Sequence, residues 1–160
     1  MSDIVEAIEN CIGNNAVLKG DSVKQRISVW GTNQPMEALA IVRPKNTDEV
    51  SSVLKLCNEQ SQPIVPQGGM TGLVKAGMPN SSEIAFSLER MNSIIDVDFD
   101  TATMTVEAGV TLQEAQEAAD AHGLMLPLDL GARGSATIGG NLSTNAGGNR
   151  VIRYGMTREM

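Results

Sequence analysis

The chain has 160 residues, the length of one ordinary domain, and its 41% hydrophobic and 19% charged residues are a globular rather than a disordered composition. A net charge of −7 and only four aromatic residues argue against a polyanion-binding surface and against a stacking platform for single-stranded nucleic acid. No apolar run approaches about 18 residues, no basic-then-apolar leader opens the sequence, and Cys11 and Cys57 stand far apart beside a single histidine. A membrane span, a signal peptide, a disulfide scaffold and a zinc site are therefore not expected, and the expected setting is a reducing, cytoplasmic one.

Ile4, Val5, Ile8 and Ile12 recur at helical spacing, with Gly13 as the stop. Residues 13–37 are polar and weakly periodic and read as loop. Ala38–Val42 is a short apolar run closed by Pro44, hence a buried strand. Asn46 or Thr47 caps a helix through about Glu59, with Val50, Val53, Leu54 and Cys57 as its inner stripe and Asp48 and Glu49 in the dipole-favoured first turn. Pro63–Pro66 is a second short strand, and strand, helix, strand fits a parallel pair with a crossover helix.

Glu83–Leu88 and Ile94–Val97 read as short strands around a turn at Arg90, and Ala102–Ala108 alternates as a further strand with Met104 and Val106 on one face. Thr111 caps a helix through about Ala121, with Leu112, Ala115 and Ala119 inward and Gly123 as its stop. Leu124–Leu128 is strand-like, and residues 129–148 show no strong period. The class is α+β with parallel and antiparallel strands.

Eleven of the 16 glycines fall in residues 68–77 and 131–155. Residues 131–160 are net positive while the remainder is acidic, so the glycine-rich part is locally basic. Glycines let a ligand approach the backbone, and successive N–H groups can form an anion-binding nest. A single loop such as Gln67–Gly72 is as readily a turn without a ligand. Neither the Gly-x-x-x-x-Gly-Lys-Ser/Thr loop nor the Gly-x-Gly-x-x-Gly fingerprint occurs, which lowers the standing of nucleotide hydrolases and ordinary nicotinamide dehydrogenases.

Taken together, Pro66-Gln-Gly-Gly-Met-Thr-Gly72, Glu107-Ala-Gly-Val110, Pro127-Leu-Asp-Leu-Gly-Ala-Arg-Gly-Ser-Ala-Thr-Ile-Gly-Gly-Asn141, Thr144-Asn-Ala-Gly-Gly148 and Arg153-Tyr-Gly155 resemble a known family. It is the vanillyl-alcohol-oxidase-type, or PCMH-type, FAD-binding domain of the FAD-linked oxidases. Within it the segments are most similar to D-2-hydroxyglutarate dehydrogenase, D-lactate dehydrogenase and glycolate oxidase subunits. The resemblance covers about residues 38–160. It implies a small parallel αβ subdomain followed by a mixed or antiparallel sheet subdomain. Residues 1–37 then form an N-terminal helix and extended lead-in. The family continues past the point matching Met160, so the resemblance also implies a C-terminally incomplete domain without its substrate domain, inactive alone.

In the family the first loop wraps the FAD pyrophosphate through backbone amides, and the second segment runs beside the ribityl chain and flavin ring. The residues so implied to contact FAD are Pro66, Gln67, Gly68, Gly69, Met70, Thr71, Gly72, Ala76 and Gly77 in the first segment. In the second they are Gly131, Gly134, Ser135, Thr137, Ile138, Gly139, Gly140, Asn141, Thr144, Asn145, Ala146 and Gly147. Ser135, Thr137, Asn141 and Asn145 could donate to phosphate or ring carbonyl oxygens, or cap and turn the chain. Some relatives carry a flavin-linked histidine near the first loop. Met70 stands there in this chain, implying noncovalent FAD.

The implied reaction is oxidation of a small D-2-hydroxy acid, with hydride passing from substrate C2 to flavin N5. The implied catalytic residues and any metal ligands lie outside this chain, the electron acceptor is open, and a homodimer is possible at full length. Two alternatives stand: a flavin- or nucleotide-binding module without catalysis, and a relative of the UDP-N-acetylmuramate reductases. His122 reads as a structural or solvent-facing residue at a helix end, Asp96, Asp98 and Asp100 as a solvated face, and Cys57 as a small core residue. Arg133, Arg150 and Arg153 either face an anion or pair with acids elsewhere.

Overall fold

The computed structural model describes residues 2–27 and 34–160, and the chain divides into two compact units at Arg90/Met91. In the first unit, α1 (Ser2–Ile12) ends where Gly13 takes φ 91°, a conformation that suits a residue without a β-carbon. Residues 13–37, expected as loop, hold β1 (Val17–Leu18) and α2 (Asp21–Lys24). Local pattern could not show β1, because its partner is distant: Val17 pairs with Val42. Residues 28–33 of that expected loop lie outside the described residues.

β2 (Ala40–Val42), α3 (Thr47–Glu59), β3 (Ile64–Gln67) and β4 (Ile84–Ser87) complete this unit. Asn46 is the cap of α3, its Oδ1 accepting from the Glu49 N–H at 2.8 Å. The sheet order is β1-β2-β4-β3, with β1 antiparallel and the other three strands parallel. The expected direct pairing of β2 with β3 is thus corrected, since β4 lies between them. The expected hairpin of 83–88 with 94–97 is corrected too. Every residue of β4 is buried, as a central strand requires, whereas β3 carries Pro66, which has no N–H to give a ladder and suits an edge.

Period-two alternation sorts the core. Ala40, Val42, Ile84 and Phe86 face α1 and α3, meeting Ile8, Val53 and Cys57, while Ile41 and Ala85 face Val23 and Met36. Ile8, Ile41 and Ile84 are fully buried, and burial of each such side chain stabilises by about 1.5–3 kcal/mol. Leu54 leaves the expected inner stripe of α3 and is 38% exposed, while Leu56 packs against the core.

The second unit opens with an antiparallel pair, β5 (Ile94–Asp98) and β6 (Thr103–Val106), interrupted by an irregularity between Ile94 and Asp96. Asp98 closes the turn, its Oδ1 accepting from the N–H groups of Asp100 and Thr101 at 2.9 and 3.1 Å. α4 (Leu112–Ala121) begins in a capping box between Thr111 and Glu114 and buries Leu112, Ala115 and Ala119, as expected. Gly123 follows at φ 72°.

Leu124–Leu128, expected as strand-like, forms no strand and joins no ladder among the described residues. Its carbonyl at Leu128 instead accepts from Gln116 Nε2 at 2.6 Å. α5 (Ile138–Thr144) and α6 (Val151–Tyr154) follow. Between the hairpin, α4, the 124–128 segment and α5 lies an apolar cavity of about 330 Å³, lined by residues that include Val97, Met104, Val106, Leu126 and Leu142.

Candidate cofactor site

β3 delivers the first glycine loop from the sheet edge of the first unit. Pro66 and Gly68 are exposed, whereas Gln67 turns inward and is only 5% exposed. Its Nε2 donates to the Gly77 carbonyl at 2.8 Å and lies 3.6 Å from the Met36 sulfur. The amide N–H groups of Gly68, Gly69, Met70, Thr71 and Gly72 have no acceptor among the described residues, and neither does the Thr71 hydroxyl. Left-handed backbone in this loop falls on Met70 (φ 54°) and Lys75 (φ 62°) rather than on the glycines. Ala76 is exposed at the tip, and Gly77 closes the loop beneath Met70.

In the second unit, the chain from Arg133 to Gly139 is tied to residues 108–113. Leu112 and Ile138 donate to the carbonyls of Ala136 and Val110, both at 2.8 Å, and Gly139 donates to Ala108 at 2.9 Å. Gly131, Gly134 and Ser135 lie exposed on the preceding turn. Thr137 then caps α5, its Oγ1 accepting from the Gly140 N–H at 3.3 Å. The Thr144 hydroxyl is committed to the Gly140 carbonyl at 2.9 Å. Asn145 ends the helix in the left-handed region, and its Oδ1 accepts from the Arg158 N–H at 3.0 Å. That bond uses the acceptor end of the Asn145 amide, and its donor end has no acceptor among the described residues. The Arg158 guanidinium caps the Leu142 and Ser143 carbonyls, both at 2.7 Å, and Thr157 holds the Ala146 carbonyl. Gly147 lies against Met156 and Val151.

Asn141 is the sharpest feature of this unit. It is 5% exposed, and its Nδ2 has no hydrogen-bond partner among the described residues. A buried amide without an acceptor is unfavourable unless some further group supplies one.

The charges divide. Arg150 lies 3.8 Å from Asp129, and Arg153 stands over the Tyr154 ring at 5.2 Å. The Arg133 side chain has no partner among the described residues. His122 Nδ1 lies 2.8 Å from the Ala118 carbonyl at the end of α4, the expected structural place. Burial pushes the Cys57 thiol up, in keeping with a core residue. Among the described residues, no group of three His, Cys, Asp or Glu side chains could hold a metal. Sequence reasoning passed over Arg158 and Met36 as supports of these segments, whereas Ala108 stands in the Glu107–Val110 motif it singled out. Arg158 and Met36 each act on a residue at least 13 positions away, so no local signal marks them.

The family described as FAD binding domain matches residues 38–160. The chain belongs to that family. It is 45% identical over 130 residues to a D-2-hydroxyglutarate dehydrogenase of Xanthomonas citri pv. viticola, which covers 81% of this chain and 28% of that protein. It is 40% identical over 158 residues to a probable mitochondrial D-2-hydroxyglutarate dehydrogenase of Oryza sativa subsp. indica (96% and 28%). With a D-lactate dehydrogenase of Anaerostipes hadrus the identity is 35% over 153 residues (92% and 31%). The chain thus spans less than a third of these relatives. Alkyldihydroxyacetonephosphate synthase shares the fold over 100% of the chain and 32% of its own, with a TM-score of 0.88 at 21% identity. Substrate-bound p-cresol methylhydroxylase does so over 91% and 29%, with a TM-score of 0.71 at 23% identity. The fold is the PCMH-type α+β fold, and FAD is the cofactor of the family.

The donor chemistry fits that cofactor. FAD carries an anionic pyrophosphate and a ring edge rich in carbonyl acceptors. Each unit presents donors that have no acceptor among the described residues: consecutive backbone amides in Gly68–Gly72, and the buried Asn141 amide with the donor end of Asn145.

Proposed function

We propose that this chain is the FAD-binding part of a flavin-dependent dehydrogenase of D-2-hydroxy acids, of the D-2-hydroxyglutarate or D-lactate type. The 45% identity to a D-2-hydroxyglutarate dehydrogenase over 130 residues carries this reading. When bound, FAD supplies the acceptor for the two electrons that leave the substrate. The chain's own residues bind and orient. The amides of Gly68–Gly72, with Thr71 and the flanking Pro66, Ala76 and Gly77, hold the pyrophosphate. Asn141 and Asn145, with Ser135 and Thr137, donate to the flavin side, and Gly131, Gly134, Gly140, Ala146 and Gly147 keep that wall low. The proton-accepting base and the substrate-carboxylate clamps belong to the rest of the protein.

The reading also takes FAD as noncovalent, because Met70 occupies the loop where a linking histidine would stand. Among the described residues, no helix is long and apolar enough to cross a membrane. We propose a reducing compartment for the protein, in keeping with its two free thiols, Cys11 and Cys57, and take the cytoplasm as the reading that a fluorescent fusion tests against the mitochondrial location named for the rice relative.

The deciding experiment assays the purified full-length flavoprotein with D-2-hydroxyglutarate, D-lactate, D-malate and glycolate, using a dye as electron acceptor. Dye reduction by a D-2-hydroxy acid is expected, with the L-enantiomers inert. Bound FAD with no turnover of any of the four would favour the non-catalytic module instead.

A further inference from the structure

The loop that follows β3 is held almost entirely from its base. Between Gly68 and Val74 no amide finds an acceptor among the described residues, and the first backbone bond inside the loop is a turn from Met78 to Lys75. Leu73, Val74 and Lys75 are exposed. Two contacts close the loop instead. Gln67 Nε2 reaches across ten positions to the Gly77 carbonyl at 2.8 Å. Met70, itself in the left-handed region, lays its sulfur 2.9 Å from where a β-carbon on Gly77 would stand.

We propose that Gln67 is a positioning residue, a buried clasp that joins the two ends of the loop and sets its free amides in place for the FAD pyrophosphate, without touching the cofactor. The inference rests on the reading that this loop holds FAD. The direction of the side chain carries it: Gln67 is 5% exposed, and its amide nitrogen is already committed to Gly77 and the Met36 sulfur. An open loop of this length has many conformations, and most of them scatter the five amides. Closing its ends beforehand removes that ordering from the binding step. A polar side chain placed here by a ligand would point outward; this one points into the protein and bonds the far end of its own loop.

The test uses the FAD-loaded protein as it is naturally produced. Gln67→Met keeps the volume and removes the donor, and Gln67→Asn keeps a buried amide but withdraws it by one methylene, so that one variant serves if the other does not fold. Trypsin cleavage after the exposed Lys75 reports loop opening, with cleavage after Lys45 and Lys55 as the internal control. FAD dissociation is followed by the return of flavin fluorescence. Loss of one such hydrogen bond is expected to speed both Lys75 cleavage and FAD release about tenfold, with the control sites unchanged. Unchanged cleavage at Lys75 overturns the clasp, and faster cleavage with unchanged FAD release overturns its role in cofactor binding. A Gly69→Val variant separates the two levels. If it releases FAD as the parent does, the assignment of the loop to FAD has failed and the proposal with it. If it loses FAD while both Gln67 variants keep it, the clasp alone has failed.

Discussion

A β-carbon added to Gly139 would stand 2.7 Å from the β-carbon of Ala108, while the Gly139 N–H donates to the Ala108 carbonyl at 2.9 Å. The first turn of α5 is thus pressed against the chain just after β6, and protein atoms alone require glycine there. Gly139→Ala is expected to destabilise the flavin-free protein by about 1–3 kcal/mol through overpacking. Gly131 has nothing within 4 Å of its added β-carbon, so Gly131→Ala is expected to stay within about 0.5 kcal/mol of the parent. Denaturant titration of the two variants measures the difference, and equal costs would contradict the close approach.

Glu89 gathers two arginines. Arg26 meets it in a two-pronged pair at 2.8 and 3.0 Å, and Arg43 approaches at 3.2 Å. Burial pushes the Glu89 carboxyl up, but the hydrogen bonds and charges of Arg26 and then Arg43 outweigh it and leave the group below its usual 4.5. A carboxylate lowered in the folded state stabilises above its unfolded value, and that contribution is lost as pH falls from about 4.5 through the folded value. Glu89→Gln should therefore cost about 1 kcal/mol at neutral pH and flatten the acid limb of the stability curve below that point. Stability curves of parent and variant that run parallel below pH 4.5 would remove Glu89 from the acid response.

Thr111 and Glu114 cap α4 reciprocally. The Thr111 N–H and hydroxyl both donate to the Glu114 carboxylate, at 2.9 and 2.8 Å, and hold it below the usual range. Thr111→Ala should destabilise by about 1 kcal/mol. It should also move the Glu114 titration part of the way back up, because the backbone donor remains. NMR titration of the Glu114 side chain reads this directly, and an unmoved titration would exclude the hydroxyl as a cause.

Arg158 should matter beyond its charge. Its guanidinium covers two carbonyls at the end of α5, beside Asn145. Arg158→Ala is expected to cost about 1 kcal/mol and to speed hydrogen exchange at residues 142–147 while leaving α4 unchanged. Equal acceleration in both helices would point to a general loosening instead.

Denaturing the FAD-loaded protein should release all of its flavin into the filtrate. Flavin absorbance that stays with the denatured chain would contradict noncovalent binding.

What the sequence determined by itself was local. Gly13, the Asn46-Thr47 pair, Thr111 and Gly123 mark helix ends because caps and stops act within a turn of the residue that makes them, and the structure then chose Asn46 over Thr47. The inward faces of α4 followed from helical spacing, and the ordered glycine segments were sufficient to point to the FAD family. Tertiary structure decided what depends on distant partners. It put β4 between β2 and β3, because a strand buried on both faces takes the centre and a strand with a proline takes the edge. It exposed Leu54, and it made a helix of Ile138–Thr144 despite two glycines, by capping it with Thr137 and Arg158. Most of all, it separated glycines by cause. The amides of the 16 glycines look alike in sequence, but Gly139 and Gly148 are small because Ala108 and Asp129 lie against them, while Gly72 and Gly131 face open space. Which atoms fill the place of a missing β-carbon is a property of chains brought together by folding, and no local pattern carries it.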